Sequence, residues 1–94
     1  MYTHIVFFKL KEATKENLEY VKKIFLDMNG NIKELKSVEV GIDDVRSARS
    51  YDISLLTRFD SKEDYLKYDK SDYHVNEVIP SLKGYLEKSK SVDY

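Results

Sequence analysis

The residues best suited to acid–base chemistry are the only two histidines of this 94-residue chain, His4 and His74. An imidazole gains and loses a proton near neutral pH, so either ring could act as a general acid or base. We expect His4 to open a strand and His74 to begin a helix after a polar break. Each also has a purely structural interpretation, in which the ring bonds to nearby polar or backbone groups and does no chemistry.

Tyr68 is the residue best placed to assist His74, because it stands six positions earlier, across the expected break. That spacing could turn both side chains toward one pocket, where a phenol hydroxyl polarises a carbonyl while an imidazole takes a proton. The chain has eight tyrosines, and most of them should be core or interface residues. A structural role for Tyr68 therefore stays open beside the catalytic one.

Composition and spacing disfavour several other kinds of site. The absence of cysteine excludes disulfide scaffolds, thiolate zinc sites and iron–sulfur clusters. Ser71, Asp72 and His74 have the residue types of a hydrolase triad, but residues so close together in sequence usually cap a helix instead. No metal-ligand spacing and no glycine-rich phosphate loop occur, so we expect no metal and no cofactor.

The net charge and the hydropathy of the chain argue against nucleic acid and membranes as partners. A net charge of −1 gives no general attraction to nucleic acid or to an anionic membrane. No apolar run approaches the ~18 residues of a membrane span, and the N-terminus lacks the pattern of a signal peptide. We therefore expect a cytoplasmic protein.

The elements that must position these residues follow from periodicity. Apolar residues alternate in strands and recur every three or four positions in helices. Thr14 and Ser61 are expected N-caps, and Pro80 should kink or divide the last helix. The predicted order is a strand over 3–10, a helical stripe from Leu18 to Leu35 broken near Gly30, strands over 37–43 and 51–59, a short helix after Ser61, a helical stripe from Val75 to Leu86, and a last strand in 91–94.

The order βαββαβ predicts an α+β, ferredoxin-like domain over residues 1–94, with a four-stranded antiparallel sheet and helices on one face. The first strand carries His4, Val6 and Phe8 on one face and Ile5 and Phe7 on the other. Because both faces are apolar, a second copy should cover the face without helices. We expect a homodimer formed sheet against sheet.

The chain resembles the stress-responsive dimeric α/β-barrel (Dabb) family. The matching segments are T-H-I-V-F-F-K-L-K, S-V-E-V-G-I-D, Y-D-I-S-L-L-T-R-F-D-S, L-K-Y-D-K-S-D-Y-H-V and S-V-D-Y, in family order. The family's helix-break motif reads Y-x-x-H-P-x-H-V, and here Tyr68, His74 and Val75 match it. Ser71 replaces the first histidine of the motif, and Asp72 replaces the proline.

The resemblance implies a homodimer whose sheets close into a barrel, and most members have no assigned activity. In a polyketide-cyclase branch, a histidine matching His74 acts as base and a tyrosine matching Tyr68 assists it. A histidine matching His4 lines the same cleft. Ser71 and Ile53 also fall at cleft positions, where that branch carries further histidines.

Three functions are compatible with these features. The first is a dimer whose cleft binds a small, largely apolar molecule with a carbonyl or phenol, with cyclase-like acid–base chemistry at His74 and Tyr68. The second is a non-enzymatic structural or stress dimer whose cleft is filled by its own side chains. The third is a cofactor-free monooxygenase. The sequence leaves open whether the protein is an enzyme.

Overall fold

The computed structural model describes residues 1–94 as one antiparallel sheet with helices on one side. The strand order in the sheet is β2-β3-β1-β4, the ferredoxin-like arrangement expected from the sequence. None of the helices has the length and the apolar character that a membrane span requires. The elements are β1 (Tyr2–Leu10), α1 (Lys15–Leu26), β2 (Ser37–Ile42), β3 (Ile53–Phe59), α2 (Lys62–Asp69), a π-helical turn (His74–Val78), α3 (Ile79–Leu82) and β4 (Leu86–Asp93).

The two central strands divide their side chains between the faces as alternation predicts. On β1, Val6 and Leu10 are buried under the helices, whereas Phe7 is exposed on the opposite face. On β3, every second residue is buried on the helix side. The core between sheet and helices consists of Leu10, Val21, Phe25, Met28, Ile32, Leu35, Ile53, Leu55, Phe59, Tyr68, Val78 and Leu82.

The helix starts agree with the sequence expectations. The Thr14 hydroxyl accepts the Asn17 N–H at 3.2 Å, and the Ser61 hydroxyl accepts the Asp64 N–H at the same distance. Helix α1 ends at Leu26, before the left-handed Gly30, although the apolar stripe continues. The apolar residues of this stripe that follow the helix, as far as Leu35, are buried although they lie in turns.

Two expectations about strands were wrong. The helical stripe was expected to run to Leu86, but α3 ends at Leu82, and Gly84, with φ of +88°, turns the chain into β4. Strand β4 therefore begins at Leu86. The third strand was expected over 51–59, from Tyr51, but β3 begins only at Ile53. The Tyr51 ring instead lies 5.7 Å from the amine of Lys9.

Asp52 fastens the end of β1 to the loop between β2 and β3. Its buried carboxylate accepts the Leu10 N–H at 2.7 Å and the Arg46 Nη2 at 2.8 Å. Arg46 has a left-handed backbone, with φ of 57°, and its own N–H donates to Asp43. Burial raises the pKa of the Asp52 carboxyl, but the hydrogen bond from Leu10 and the charge of Arg46 outweigh burial and hold this pKa below its usual value.

We expect Asp52→Asn to lower the free energy of unfolding by about 1–3 kcal/mol at neutral pH, because an amide offers one acceptor fewer and no charge. The folded-state pKa lies below the unfolded value, so this stabilisation is present above about pH 3.8 and disappears as the pH falls through the folded pKa. Urea unfolding at neutral and at acid pH measures both effects. Asp44→Asn is the control, since Asp44 is exposed and unpaired. An equal loss for Asp52→Asn at both pH values would contradict the electrostatic origin.

Candidate functional site

Tyr68 and His74 lie side by side, with ring centroids 4.9 Å apart. Tyr68 stands in the last turn of α2, where its ring also packs 4.9 Å from that of Phe59. His74 begins the π-helical turn that follows the break. The six-residue spacing therefore brings both rings to one place.

Ser71 lies at the break between Tyr68 and His74. Its hydroxyl donates to the Tyr68 carbonyl at 2.8 Å and accepts the His74 N–H at 3.3 Å. The Ser71 N–H also donates to the Tyr68 carbonyl. The serine thus links the end of α2 to the π-helical turn.

The π-helical turn is wide because of Pro80. A proline has no N–H to donate, and its ring collides with the carbonyl four residues earlier in a regular helix. The Ile79 N–H donates to the His74 carbonyl, five residues earlier, and α3 begins there. Pro80 therefore divides the last helix, as expected. Single π-helical turns often occur at functional sites.

The hydrogen bond of His74 defines the tautomer of its neutral ring. The Nδ1 atom lies 2.9 Å from the Asp69 carbonyl oxygen. A carbonyl only accepts, so Nδ1 carries the hydrogen and Nε2 keeps its lone pair. A neutral His74 thus offers Nε2 as a proton acceptor.

The hydroxyl of Tyr68 is a neutral donor held in an apolar setting. The residue is 2% exposed, and its hydroxyl donates to the Met28 Sδ at 3.6 Å. Burial, together with the nearby Tyr65 and Asp69, raises the pKa of Tyr68 far above its usual value. Thioether sulfur is a weak acceptor, so this O–H could turn toward a stronger one.

His4 reaches the same region from the sheet. Its ring lies 4.7 Å from the Tyr65 ring, and its Nδ1 contacts the Asp93 Oδ1 on the neighbouring strand. Burial, followed by the charges of Asp69 and Asp93, raises the pKa of Tyr65 above its usual value.

A cavity of about 660 Å³ lies between the sheet and the helical segments, and we call it the helix-side cleft. His4, Val6 and Phe8 alternate along one side of it, so it follows β1 for about 13 Å. Its lining is mostly apolar and includes Tyr68 and His74. The lining residues are His4, Val6, Phe8, Phe25, Leu55, Tyr68, His74, Val78, Ile79, Pro80, Leu82, Lys83, Gly84 and Leu86.

Two of the expected cleft residues do not line this cavity. The hydroxyl of Ser71 is engaged by the backbone at the helix break. Ile53 is buried in the core, near the end of β3 that pairs with Phe8 and Ile42. Ser71 therefore caps the break beside this cavity and Ile53 packs in the core, and their contact with a ligand stays a prediction.

Asp93 is the polar residue near the cleft that sequence reasoning missed. Alternation in the closing S-V-D-Y segment separates Asp93 from Val92, but only the register of β4 against β1 shows that it faces His4. No group of three or more His, Cys, Asp or Glu side chains is arranged to hold a metal ion.

We expect Ser71→Ala to lower the free energy of unfolding by about 1 kcal/mol, because it removes a capping hydroxyl with two backbone partners. Urea unfolding measures this loss. Ser89→Ala is the matched control, since Ser89 is exposed on β4 and its hydroxyl has no protein partner. Equal unfolding midpoints for the two variants would show that the Ser71 hydroxyl contributes nothing.

Solved structures with the same fold cover nearly the whole chain. A dimeric ferredoxin-like protein of unknown function from Bacteroides fragilis is 26% identical, with a TM-score of 0.83 over 99% of this chain and 93% of its own. An Arabidopsis thaliana protein is 24% identical, with a TM-score of 0.85 over 100% and 93%. A hydroxynitrile lyase from Passiflora edulis is 19% identical, with a TM-score of 0.83 over 99% and 90%.

No curated protein matches the sequence. The family model of the stress responsive A/B barrel domain, Dabb, matches residues 2–94. This match spans the first strand, both sides of the helix break and the last strand, which together form the cleft. The chain therefore belongs to the Dabb family of stress responsive A/B barrel domains.

Proposed function

We propose that the helix-side cleft binds a small, largely apolar carbonyl compound and transfers a proton at the carbon beside the carbonyl. The observation that carries this proposal is that His4, Tyr68 and His74 line one otherwise mostly apolar cavity. Its volume of about 660 Å³ exceeds the ~300 Å³ typical of the smallest ligand sites. This space favours a ligand-binding cleft over one filled by its own side chains.

The reaction divides between two side chains. The His74 Nε2 takes the proton from carbon, and the electron pair of the broken C–H bond moves toward the carbonyl oxygen. The Tyr68 hydroxyl exchanges its weak sulfur acceptor for this oxygen and stabilises the developing negative charge. The protonated His74 exchanges its Nε2 proton with solvent and then returns a proton to the same carbon, while the electron pair moves back from oxygen, so atoms and charge balance.

At least one protein with this fold is an enzyme. The Passiflora edulis protein is a hydroxynitrile lyase, so the same fold serves catalysis there. Fold likeness at this identity does not transfer the reaction. The proposal for this chain therefore depends on its own side chains.

Exchange of hydrogen for deuterium beside the carbonyl of phenylacetone in D₂O tests the proposal, because NMR follows both binding and exchange. We expect the wild-type protein to accelerate exchange and His74→Ala to lower the rate about 100-fold or more, as for loss of a general base. Binding should persist, because most of the lining is apolar.

Tyrosine variants provide the matched control. Tyr68→Phe should slow exchange, whereas Tyr73→Phe should not, because the Tyr73 hydroxyl donates to the Asp27 carbonyl outside the cleft. Full exchange by His74→Ala, or NMR shifts confined to residues outside the cleft, would overturn the proposal.

We also propose that the open sheet face, opposite the helices, pairs with a second copy. The register places Ile5 between Leu56 and Val92, so apolar side chains continue across β3, β1 and β4. Phe7, 43% exposed, extends this surface. The Bacteroides fragilis relative is described as dimeric, which supports pairing with a second copy.

We expect light scattering to give about twice the 11.1 kDa chain mass for the wild type and the single mass for Phe7→Glu. A buried charge in an apolar interface of ~800 Å² per partner is strongly unfavourable. Leu66→Glu is the matched control, because Leu66 is 44% exposed on helix α2, away from this face. A monomeric wild type, or a dimeric Phe7→Glu, would contradict the proposal.

A further inference from the structure

His4 and Asp93 form an imidazole–carboxylate pair at one end of the helix-side cleft. The two residues are direct partners in the antiparallel register of β1 and β4. Their side chains are 13% and 32% exposed, and the His4 Nδ1 contacts the Asp93 Oδ1. Asp93 has no other ionic partner, and His4 lines the cleft.

The direction of this hydrogen bond determines what His4 can do. An ionised carboxylate only accepts, so the Nδ1 of His4 carries the hydrogen and the Nε2 is the ring nitrogen left for a ligand. The same bond to the carboxylate fixes the orientation of the ring at the edge of the cleft. A lone histidine at a strand end would have neither a fixed tautomer nor this nearby charge.

We infer that Asp93 is a positioning residue that makes His4 a second proton-transfer group of the cleft. This inference rests on the proposed function of the same cleft and deepens it. His4 and Asp93 lie on the sheet, whereas Tyr68 and His74 come from the helical segments. A ligand in the cleft therefore has an imidazole on the sheet as well as one on the helical side.

Together, the two histidines carry out the two proton transfers that convert a ketone into its enol. The His74 Nε2 takes the proton from carbon, and the electron pair of that C–H bond forms the carbon–carbon double bond of an enol. The carbonyl oxygen takes a proton from the Nε2–H of protonated His4, whose electron pair stays on nitrogen. Tyr68 donates its hydrogen bond to the same oxygen, and the reverse step restores the ketone.

A purely structural role is the alternative, in which the pair only clamps β4 to β1. Asp93→Asn separates the two, because it keeps the size of the side chain and removes the charge. At a pH where the His4 ring is neutral, we expect ¹⁵N NMR to show Nδ1–H in the wild type and a mixture of tautomers in Asp93→Asn. The signals of His74 should stay unchanged and serve as an internal control, because its partner is the Asp69 carbonyl.

The exchange of phenylacetone in D₂O gives the second readout. We expect Asp93→Asn to slow exchange about tenfold or more, in the range found for residues that orient a ligating or reacting histidine. Unchanged exchange together with an altered tautomer would show a clamp and overturn the inference. An unaltered tautomer would overturn it directly.

His4→Gln keeps the inference falsifiable if Asp93→Asn unfolds. The glutamine amide can still donate to Asp93 and preserve the clamp, but it cannot transfer protons. We expect a near wild-type melting temperature and slowed exchange, and exchange at the wild-type rate would overturn the inference. Loss of exchange in His74→Ala with full exchange in His4→Gln would leave the proposed function standing, whereas a wild type that neither binds nor exchanges the probe would refute both.

Discussion

The position of β1 between β3 and β4 is the constraint on which the rest of the molecule depends. This strand pairs along nearly its whole length with both neighbours. A shift of one residue in either pairing would move His4, Val6 and Phe8 to the open face and bring Ile5 and Phe7 under the helices. One register therefore sets the lining of the helix-side cleft and the composition of the open sheet face together.

A carboxylate side chain binds each end of β1, and the two contacts have different roles. At Leu10, the Asp52 carboxylate replaces a ladder partner and ties down the loop that carries Arg46. At His4, the Asp93 carboxylate engages a ring that lines the cleft. The first contact satisfies a backbone donor, whereas the second leaves a ring nitrogen available. Similar carboxylates therefore serve stability at one end and contribute to the cleft at the other.

The sequence could predict those features that depend on residues close together in the chain. The faces of β1 and the caps at Thr14 and Ser61 depend on neighbours within a few residues, and the structure agrees with them. The start of β4 was missed because L-E-K-S-K-S-V-D has no alternation of apolar residues, and the strand depends on its ladder with β1. The partnership of Asp93 with His4 spans 89 positions, so no local pattern could indicate it.

The helix break explains why a cleft exists where a continuous helix would have closed the core. Ser71 bonds to both sides of the break after α2, and Pro80 prevents a regular helix from continuing across the sheet. The wide turn between them places His74 against Tyr68 and leaves apolar side chains facing β1 across open space. The cleft is open to solvent, so its apolar lining is in contact with water. An apolar ligand would remove this surface from water, so the same break that leaves the cleft open also provides a driving force for binding.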